Sequence, residues 1–261
     1  MTAALMYHEL ERQGRPIAVS DPGYAIYVVP EWRFSQHMAW LSSAGLRGVS
    51  LGSARGGRFA GPKDVVITFD DGCQTDWTIA APVLIELGFG ATFYVVSEWV
   101  GRRAGFLTVP DLRSLSEAGF EIGSHSATHA FLTDLDAAAL RRELVDSKHA
   151  IEDIIGQPVL HLSCPGGRSS RRVAEAAREA GYQTMATSRI GVNGPDTDPF
   201  SLARCPIQRE TPTHMFEAFC RGKGLGTYQA RDRALAAAKA ILGNRLYATV
   251  RDAVLRSSSY S

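Results

Sequence analysis

Two adjacent carboxylates, Asp70 and Asp71, end a run of β-branched residues and stand directly before Gly72. The run over residues 65–67 is typical of a strand buried on both faces of a parallel sheet. Loops that follow such strands carry the reacting groups in barrel folds. Because neighbouring residues alternate in direction, we predict separate roles: one carboxylate ligates a cation and the other accepts a proton. Taken alone, Asp-Asp-Gly would indicate only a strand-end turn.

A second candidate group follows the strand-like residues 120–122. His125 and His129 are four positions apart, and on one helical turn both imidazoles would reach the same divalent ion. Without the aspartates, two surface histidines on a polar loop would be an equally good interpretation. Two His and one Asp leave a coordination position open to water, which is typical of catalytic metal sites. Mixed ligation suits zinc, and the same ligands allow cobalt, nickel or manganese.

Strand-like and helix-like segments alternate along the chain, which indicates βα units around a parallel sheet. The clearest helix is predicted from Asp136, as N-cap, to Gly156. Strands are predicted at residues 65–71, 91–96, 120–124, 159–164, 183–187 and 202–207. About seven units would form a barrel with both motifs at one rim, although periodicity alone does not distinguish a barrel from an open sheet.

These motifs resemble those of the polysaccharide deacetylases, carbohydrate esterase family 4. Residues 68–72 (Thr-Phe-Asp-Asp-Gly) look like that family's first motif, and residues 125–129 look like its second. Residues 163–167 stand where its third, Arg-x-Pro-Tyr-Gly, would be. The resemblance covers roughly residues 5–207 and implies an α/β fold, a distorted (β/α)7 barrel.

The resemblance also implies roles for individual residues. It assigns the divalent metal to Asp71, His125 and His129, and the catalytic base to Asp70. It implies that the backbone N–H of Gly166 helps to bind the oxyanion.

The start of the chain, Leu5-Met6-Tyr7-His8, resembles a finer branch of the family. It looks like the opening of the poly-N-acetylglucosamine deacetylases, in which the motif order is circularly permuted. In that branch such a histidine is the catalytic acid, which implies that role for His8. His214 is a less favoured alternative.

Two positions depart from the family pattern. Ser163 replaces the motif-three arginine that would orient the catalytic carboxylate, and Gly166 replaces an aromatic residue. A backbone donor survives a side-chain change, so the oxyanion role of Gly166 is retained. The missing guanidinium needs a substitute, for which Arg204 and Arg168 are the candidates.

The implied chemistry is hydrolysis of an N-acetyl amide on an amino sugar of a polysaccharide or exopolysaccharide pathway. One alternative is a deformylase or other C–N hydrolase that acts on a lipid-linked or small substrate. Another is a catalytically silent, carbohydrate-binding relative. The intact Asp70, Asp71, His125 and His129 argue against the silent relative.

Loops and aromatic residues are candidates for shaping the substrate groove. Residues 50–63 and 191–199 are predicted as long loops over the same rim as the motifs. Four aromatic side chains would either stack on sugar rings or anchor loops: Trp32, Trp77, Trp99 and Tyr24.

Composition limits the other function classes. With 261 residues and 45% hydrophobic content, the chain can bury one full α/β core. A net charge of +1 argues against nucleic acid as the main partner. No apolar stretch approaches the ~20 residues of a membrane span, and no signal peptide is evident. We therefore expect a cytoplasmic protein whose four cysteines remain free thiols.

The last part of the chain has a different charge balance. Residues 221–261 hold eight Lys or Arg against two Asp, with apolar residues in two helix-like stretches. We predict residues 1–220 as the catalytic domain and residues 221–261 as a basic helical extension that packs on it. Peripheral contact of this extension with an anionic membrane is the alternative.

Overall fold

A computed structural model describes residues 1–56, 61 and 63–230. Its strands are β1 (Thr2–Tyr7), β2 (Leu10–Glu11), β3 (Val29–Pro30), β4 (Arg47–Val49), β5 (Asp64–Phe69), β6 (Thr92–Val95), β7 (Glu121–Ser124), β8 (His161–Ser163), β9 (Thr184–Ala186), β10 (Val192–Asn193) and β11 (Cys205–Pro206). Its α-helices are α1 (Pro22–Ala25), α2 (Glu31–Ser43), α3 (Leu51–Gly56), α4 (Ala81–Glu86), α5 (Val109–Glu117), α6 (Ala137–Ile155), α7 (Arg171–Glu179) and α8 (Thr213–Arg221). A π-helical turn, Asp76–Ala80, leads into α4, and short 3-10 turns lie at Leu132–Asp134 and Pro165–Gly167.

The strands form a curled, mainly parallel sheet in the order β10, β1, β5, β6, β7, β8, β9. A bridge from Ala186 of β9 to Leu202 continues the sheet beyond β9. Just after Leu202, β11 pairs in parallel with β1, where Cys205 lies opposite Leu5. The segment from residue 202 to residue 206 therefore connects the two sides of the sheet, and the predicted distorted barrel is confirmed.

Strand alternation divides the core into two layers. Val65, Ile67 and Phe69 face outward and pack with the helices in the larger hydrophobic cluster. Val66 belongs to a smaller cluster with Tyr94 and other side chains of the barrel interior. The same alternation continues through Thr68 and brings Asp70 into the mouth of the barrel.

Helix α3 closes the end of the barrel at which the strands begin. Leu51 of this helix packs in the interior cluster. The backbone N–H of Leu51 donates to Oγ1 of Thr92, the first residue of β6. The N–H of Gly52 donates to the carboxylate of Glu121, the first residue of β7. The first described part of the predicted loop over residues 50–63, namely residues 50–56, therefore lies at the end opposite the motif rim, which corrects the prediction for that part, and residues 57–60 and 62 lie outside the described residues.

The loop over residues 191–199 also lies at that opposite end. It contains β10, which is antiparallel to β1 and sets Asn193 opposite Thr2 at the beginning of β1. The prediction placed this loop over the same rim as the motifs. The antiparallel return along β1 explains why that prediction was wrong.

Helix α6 begins and ends where the sequence predicts. Asp136 accepts a hydrogen bond from the N–H of Ala139 at 2.8 Å. Gly156 ends the helix with φ +67°, a left-handed conformation that glycine adopts without steric cost. Leu144 and Ile151 on its inner face are fully buried.

Only the beginning of the predicted basic extension lies in the described structure. Helix α8 spans Thr213–Arg221, so the predicted boundary at residue 220 falls inside a helix. Residues 231–261, which carry most of the predicted helical extension, lie outside the described residues. Within the described part of the chain, no helix combines the length and apolar character that crossing a membrane requires.

Candidate active site

Asp70 lies at the mouth of the barrel in a bidentate ion pair with Arg204. Nη1 of Arg204 donates to Oδ1 of Asp70 and Nη2 donates to Oδ2, both at 2.7 Å. Nη2 also donates to Oγ of Ser163 at 2.8 Å, and this hydroxyl donates onward to Oδ2 of Asp70 at 3.2 Å. Arg204 is 1% exposed, so the pair is shielded from water.

Two further hydrogen bonds fix the guanidinium from the barrel wall. Nε of Arg204 donates to the carbonyl of Thr187 at 2.9 Å, and Nη1 donates to Oγ1 of Thr68 at 3.2 Å. Arg204 reaches this position because it lies on the segment that joins β9 to β1. Of the two arginines considered for the missing motif-three side chain, Arg204 contacts Asp70, whereas Arg168 forms an ion pair with Asp134 at 3.7 Å.

The ion pair determines the protonation state of Asp70. Burial acts to raise the pKa of this carboxyl, but the positive charge and hydrogen bonds of Arg204 outweigh it and hold the pKa below its ordinary value. Burial acts to lower the pKa of Arg204, and the Asp70 charge raises it above its ordinary value. Both groups are therefore charged near neutral pH.

The carboxylate of Asp71, the residue after Asp70, faces two imidazoles. Its Oδ1 is 3.4 Å from Nε2 of His125 and 3.3 Å from Nε2 of His129. The backbone of Asp71 has φ +79°, a left-handed conformation that is uncommon outside glycine. Asp71, His125 and His129 each offer one ligand atom, and these three atoms lie within 4.8 Å of one another.

The residues of this cluster fit a divalent metal. Oδ1 of Asp71 is buried and receives no hydrogen bond within the described chain, as expected for an oxygen aimed at a cation. Nδ1 of His125 lies 2.9 Å from the carbonyl of Ser163. A carbonyl only accepts, so Nδ1 carries a proton, and Nε2 is the nitrogen that faces Asp71 and could ligate a metal.

The segment that carries the two histidines is a tight loop. Ser126 and His129 have φ +67°, so the prediction that both imidazoles lie on one helical turn was wrong. Glu143 of α6 holds the loop by accepting from the N–H groups of Ala127 and Thr128 at 2.9 Å each. The imidazoles converge because of this pinned loop and not because of helical periodicity.

His8 follows β1 and lies against the ring of Tyr27, with 4.7 Å between ring centroids. Its Nδ1 is buried without a hydrogen-bond partner in the described residues. Burial lowers the pKa of His8, while the charges of Asp71 and Asp70 act in the opposite direction. The imidazole is therefore near enough to both carboxylates for their charges to act on its pKa.

Gly166 forms the centre of the short turn Pro165–Gly167, with φ +62°. The turn follows Ser163, whose hydroxyl contacts Asp70, and it is closed by a hydrogen bond from Gly167 N–H to the Cys164 carbonyl at 2.8 Å. The structure thus brings Gly166 to the rim that carries the carboxylates and histidines.

Comparison with known proteins identifies the domain. The family model described as polysaccharide deacetylase matches residues 58–185. YxkH of Bacillus subtilis, provisionally named a polysaccharide deacetylase, is 28% identical over 195 residues, which cover 73% of this chain and 70% of that protein. The chain carries a polysaccharide deacetylase domain.

Two further similar proteins support the assignment of a deacetylase domain. The crystal structure of BC0361, a polysaccharide deacetylase from Bacillus cereus, is 25% identical with a TM-score of 0.72, and the match covers 84% of this chain and 68% of that one. A peptidoglycan-N-acetylglucosamine deacetylase of Bacillus cereus is 30% identical over 127 residues, which cover 48% of this chain and 57% of that relative's length.

Sequence reasoning missed the role of one polar residue of the deacetylase domain, and the structure gives the positions of two aromatic candidates. Ser163 was treated only as the place of a missing arginine, but its hydroxyl joins Arg204 to Asp70. Trp99 was a candidate for sugar stacking, and its ring lies 5.2 Å from that of His129. Tyr24 was another such candidate, and its hydroxyl is 3.1 Å from Sγ of Cys73. The usable sequence signal for the role of Ser163 was its place as the first residue of motif three.

Proposed function

We propose that the deacetylase domain is a metal-dependent N-deacetylase that removes acetyl groups from an N-acetylated amino sugar in a polysaccharide or exopolysaccharide. One observation carries the proposal: a buried, ionised Asp70 lies beside the convergent Asp71, His125 and His129. The similarity to a protein named for N-acetylglucosamine deacetylation supports this sugar class. The exopolysaccharide assignment rests on the resemblance of residues 5–8 to the poly-N-acetylglucosamine branch.

Asp71, His125 and His129 would hold the metal. Zinc is our first choice, and cobalt, nickel and manganese suit the same ligands. A bound divalent ion supplies a Lewis acid that polarises the acetyl carbonyl and lowers the pKa of water to about 7 in favourable cases. Nδ1 of His125 donates to the Ser163 carbonyl, which orients the ring, and the backbone N–H of His129 donates to the Ser126 hydroxyl, which holds the loop.

Asp70 would accept the proton of the attacking water at Oδ1. A carboxylate offers about four lone-pair positions on its two oxygens. Oδ2 accepts from both Arg204 and Ser163, whereas Oδ1 accepts from Arg204. Oδ1 therefore keeps the greater accepting capacity, and Arg204 keeps the carboxylate ionised and oriented.

The remaining two residues would act on the opposite side of the reacting amide. The Gly166 N–H donates to the developing oxyanion from the Pro165–Gly167 turn. His8 gives its proton to the departing amine. Because Nδ1 of His8 is buried, Nε2 is the nitrogen that a substrate reaches.

The proposal is tested by product analysis on metal-stripped protein that is reloaded with each metal separately. We expect acetate from N-acetylglucosamine oligomers, only with metal present. His129→Ala should lose both the metal and the acetate, whereas His214→Ala, which changes an exposed histidine of α8, should keep both.

Each contrary outcome has a distinct meaning. Formate in place of acetate would overturn the proposal in favour of another C–N hydrolase. Bound metal without any hydrolysis of these substrates would overturn it in favour of a carbohydrate-binding relative.

A further inference from the structure

Phe131 is a large apolar side chain that stays exposed next to the site. It is 39% exposed, whereas the following residue, Leu132, is fully buried. Of the large apolar side chains that the described part of the chain exposes, namely Met1, Trp32, Ile85 and Phe131, Phe131 is the one in contact with the Gly166 turn. Its position two residues after His129 keeps it at the active-site rim.

The ring of Phe131 occupies the volume that a side chain at position 166 would fill. A Cβ built on Gly166 would lie 2.8 Å from Cε1 and 3.3 Å from Cδ1 of Phe131. The ring therefore lies directly against the Gly166 turn and leaves no room for a side chain at position 166.

The neighbouring residues hold the ring in a fixed position. The Arg168 guanidinium lies 3.6 Å from the ring centroid and forms an ion pair with Asp134 at 3.7 Å. Arg172 donates to the carbonyl of Thr133 at 3.2 Å, which ties the 3-10 turn after Phe131 to α7. One face of the ring is thus covered by a cation, and 39% of the side chain stays exposed beside the Gly166 turn.

We propose that Phe131 and Arg168 form a sugar-stacking platform that binds a pyranose ring of the substrate beside the reacting N-acetyl group. The apolar C–H face of a pyranose packs on an aromatic ring, and a ring that is already fixed loses little conformational entropy on binding. The sugar class rests on the proposed function. Phe131 determines specificity through binding and takes no part in bond making.

Replacement of the ring should weaken binding of sugar without slowing the chemistry. We expect Phe131→Ala and Phe131→Leu to raise KM for acetate release from an N-acetylglucosamine pentamer by about tenfold, the upper range of aromatic contacts. Phe131→Tyr keeps the ring and should match the wild type. Hydrolysis of 4-nitrophenyl acetate, which has no sugar, should change less than about twofold in every variant.

A second readout does not depend on turnover. In an Asp70→Asn background, calorimetry should give a pentamer Kd that is about tenfold higher when Phe131 is changed to Ala. Ile85→Ala is the matched control, because Ile85 is 54% exposed and lies at the end of α4 that leads towards the start of β6. Its KM and Kd should equal those of the wild type.

Gly166→Ala provides an independent test of the contact. The added methyl group would displace the ring, so pentamer binding should weaken in the wild-type background and should weaken less when Phe131 is already Ala. Additive losses would show that the two positions do not share this volume.

Two results would overturn the platform: an unchanged pentamer Kd in Phe131→Ala, or a fall in kcat with unchanged KM, which would indicate that Phe131 only supports the Gly166 turn. A wild-type protein that binds the pentamer through Phe131 but releases no acetate would contradict the proposed function and leave the platform standing. Acetate release that is unchanged when Phe131 is replaced would contradict the platform and leave the proposed function standing.

Discussion

Removal of Arg204 is the perturbation whose effect is best defined by the structure. The guanidinium donates to both oxygens of Asp70, to the hydroxyls of Ser163 and Thr68, and to the Thr187 carbonyl. Arg204→Ala leaves Asp70 as a buried carboxylate without its cation. Its conservative counterpart, Arg204→Lys, keeps a positive charge but loses the planar fork that bonds both oxygens.

Breaking a buried ion pair by removing one partner costs about 3–5 kcal/mol of unfolding free energy. In a domain of this size, 1 kcal/mol shifts the melting temperature by about 2–4 °C, so Arg204→Ala should lower Tm by roughly 6–20 °C. Loss of a correctly held general base should also lower kcat by about 10²- to 10⁴-fold. Arg204→Lys should fall between the wild type and Arg204→Ala in both respects.

Urea unfolding and acetate-release kinetics measure the two effects separately. The double variant Asp70→Asn with Arg204→Met is the control, because it removes both buried charges and should recover much of the lost stability while remaining inactive. The reasoning would be refuted if Arg204→Ala unfolded within about 1 kcal/mol of the wild type, or if the double variant were no more stable than Arg204→Ala.

Two other predictions concern neighbouring parts of the molecule. Ser163→Ala removes the hydroxyl between Arg204 and Asp70 and should cost about 1–3 kcal/mol in urea unfolding while metal binding is kept; loss of the metal would contradict it. Burial lowers the pKa of His37, which lies beside the Arg33 charge, to about 4. Its unfolded pKa is higher, so stability should be complete above about pH 6.5 and fall as the pH drops towards 4, by up to about 3 kcal/mol. A pH series of urea unfolding should be flatter for His37→Gln, and parallel curves for the two proteins would disprove the assignment.

The sequence predicted the strands and the motif rim well, because their signals are local. Residues 65–67 alternate between the two cores that surround β5, and this alternation alone directs Asp70 into the barrel. Helix α6 was predicted from Asp136 and Gly156, whose capping geometry depends on residues a few positions away. Such features need no knowledge of the tertiary structure.

The contact between Asp70 and its arginine could not be derived from sequence because it depends on how the barrel closes. Arg204 was preferred over Arg168 as the site residue, and the connection of β9 to β1 is what brings Arg204 to Asp70. Residues 50–56 of one predicted loop and residues 191–199 of the other lie at the end opposite the predicted one for a similar reason. Their direction is set by an inward turn and by an antiparallel strand, neither of which leaves a periodic signal.

Backbone conformation explains the remaining differences. The loop of His125 and His129 depends on positive φ at Ser126 and on Glu143, which lies far along the chain. Phe131 was missed because an exposed aromatic residue has no sequence signature until its contact with Gly166 is known.

The central claim is that the adjacent aspartates have different roles, with Asp71 as ligand and Asp70 as base. The most direct test measures metal content and acetate release side by side for Asp70→Asn and Asp71→Asn. The predicted result is that Asp70→Asn binds one equivalent of metal as the wild type does but releases no acetate, whereas Asp71→Asn loses the metal. Retained turnover in Asp70→Asn, or equal metal loss in both variants, would contradict the account.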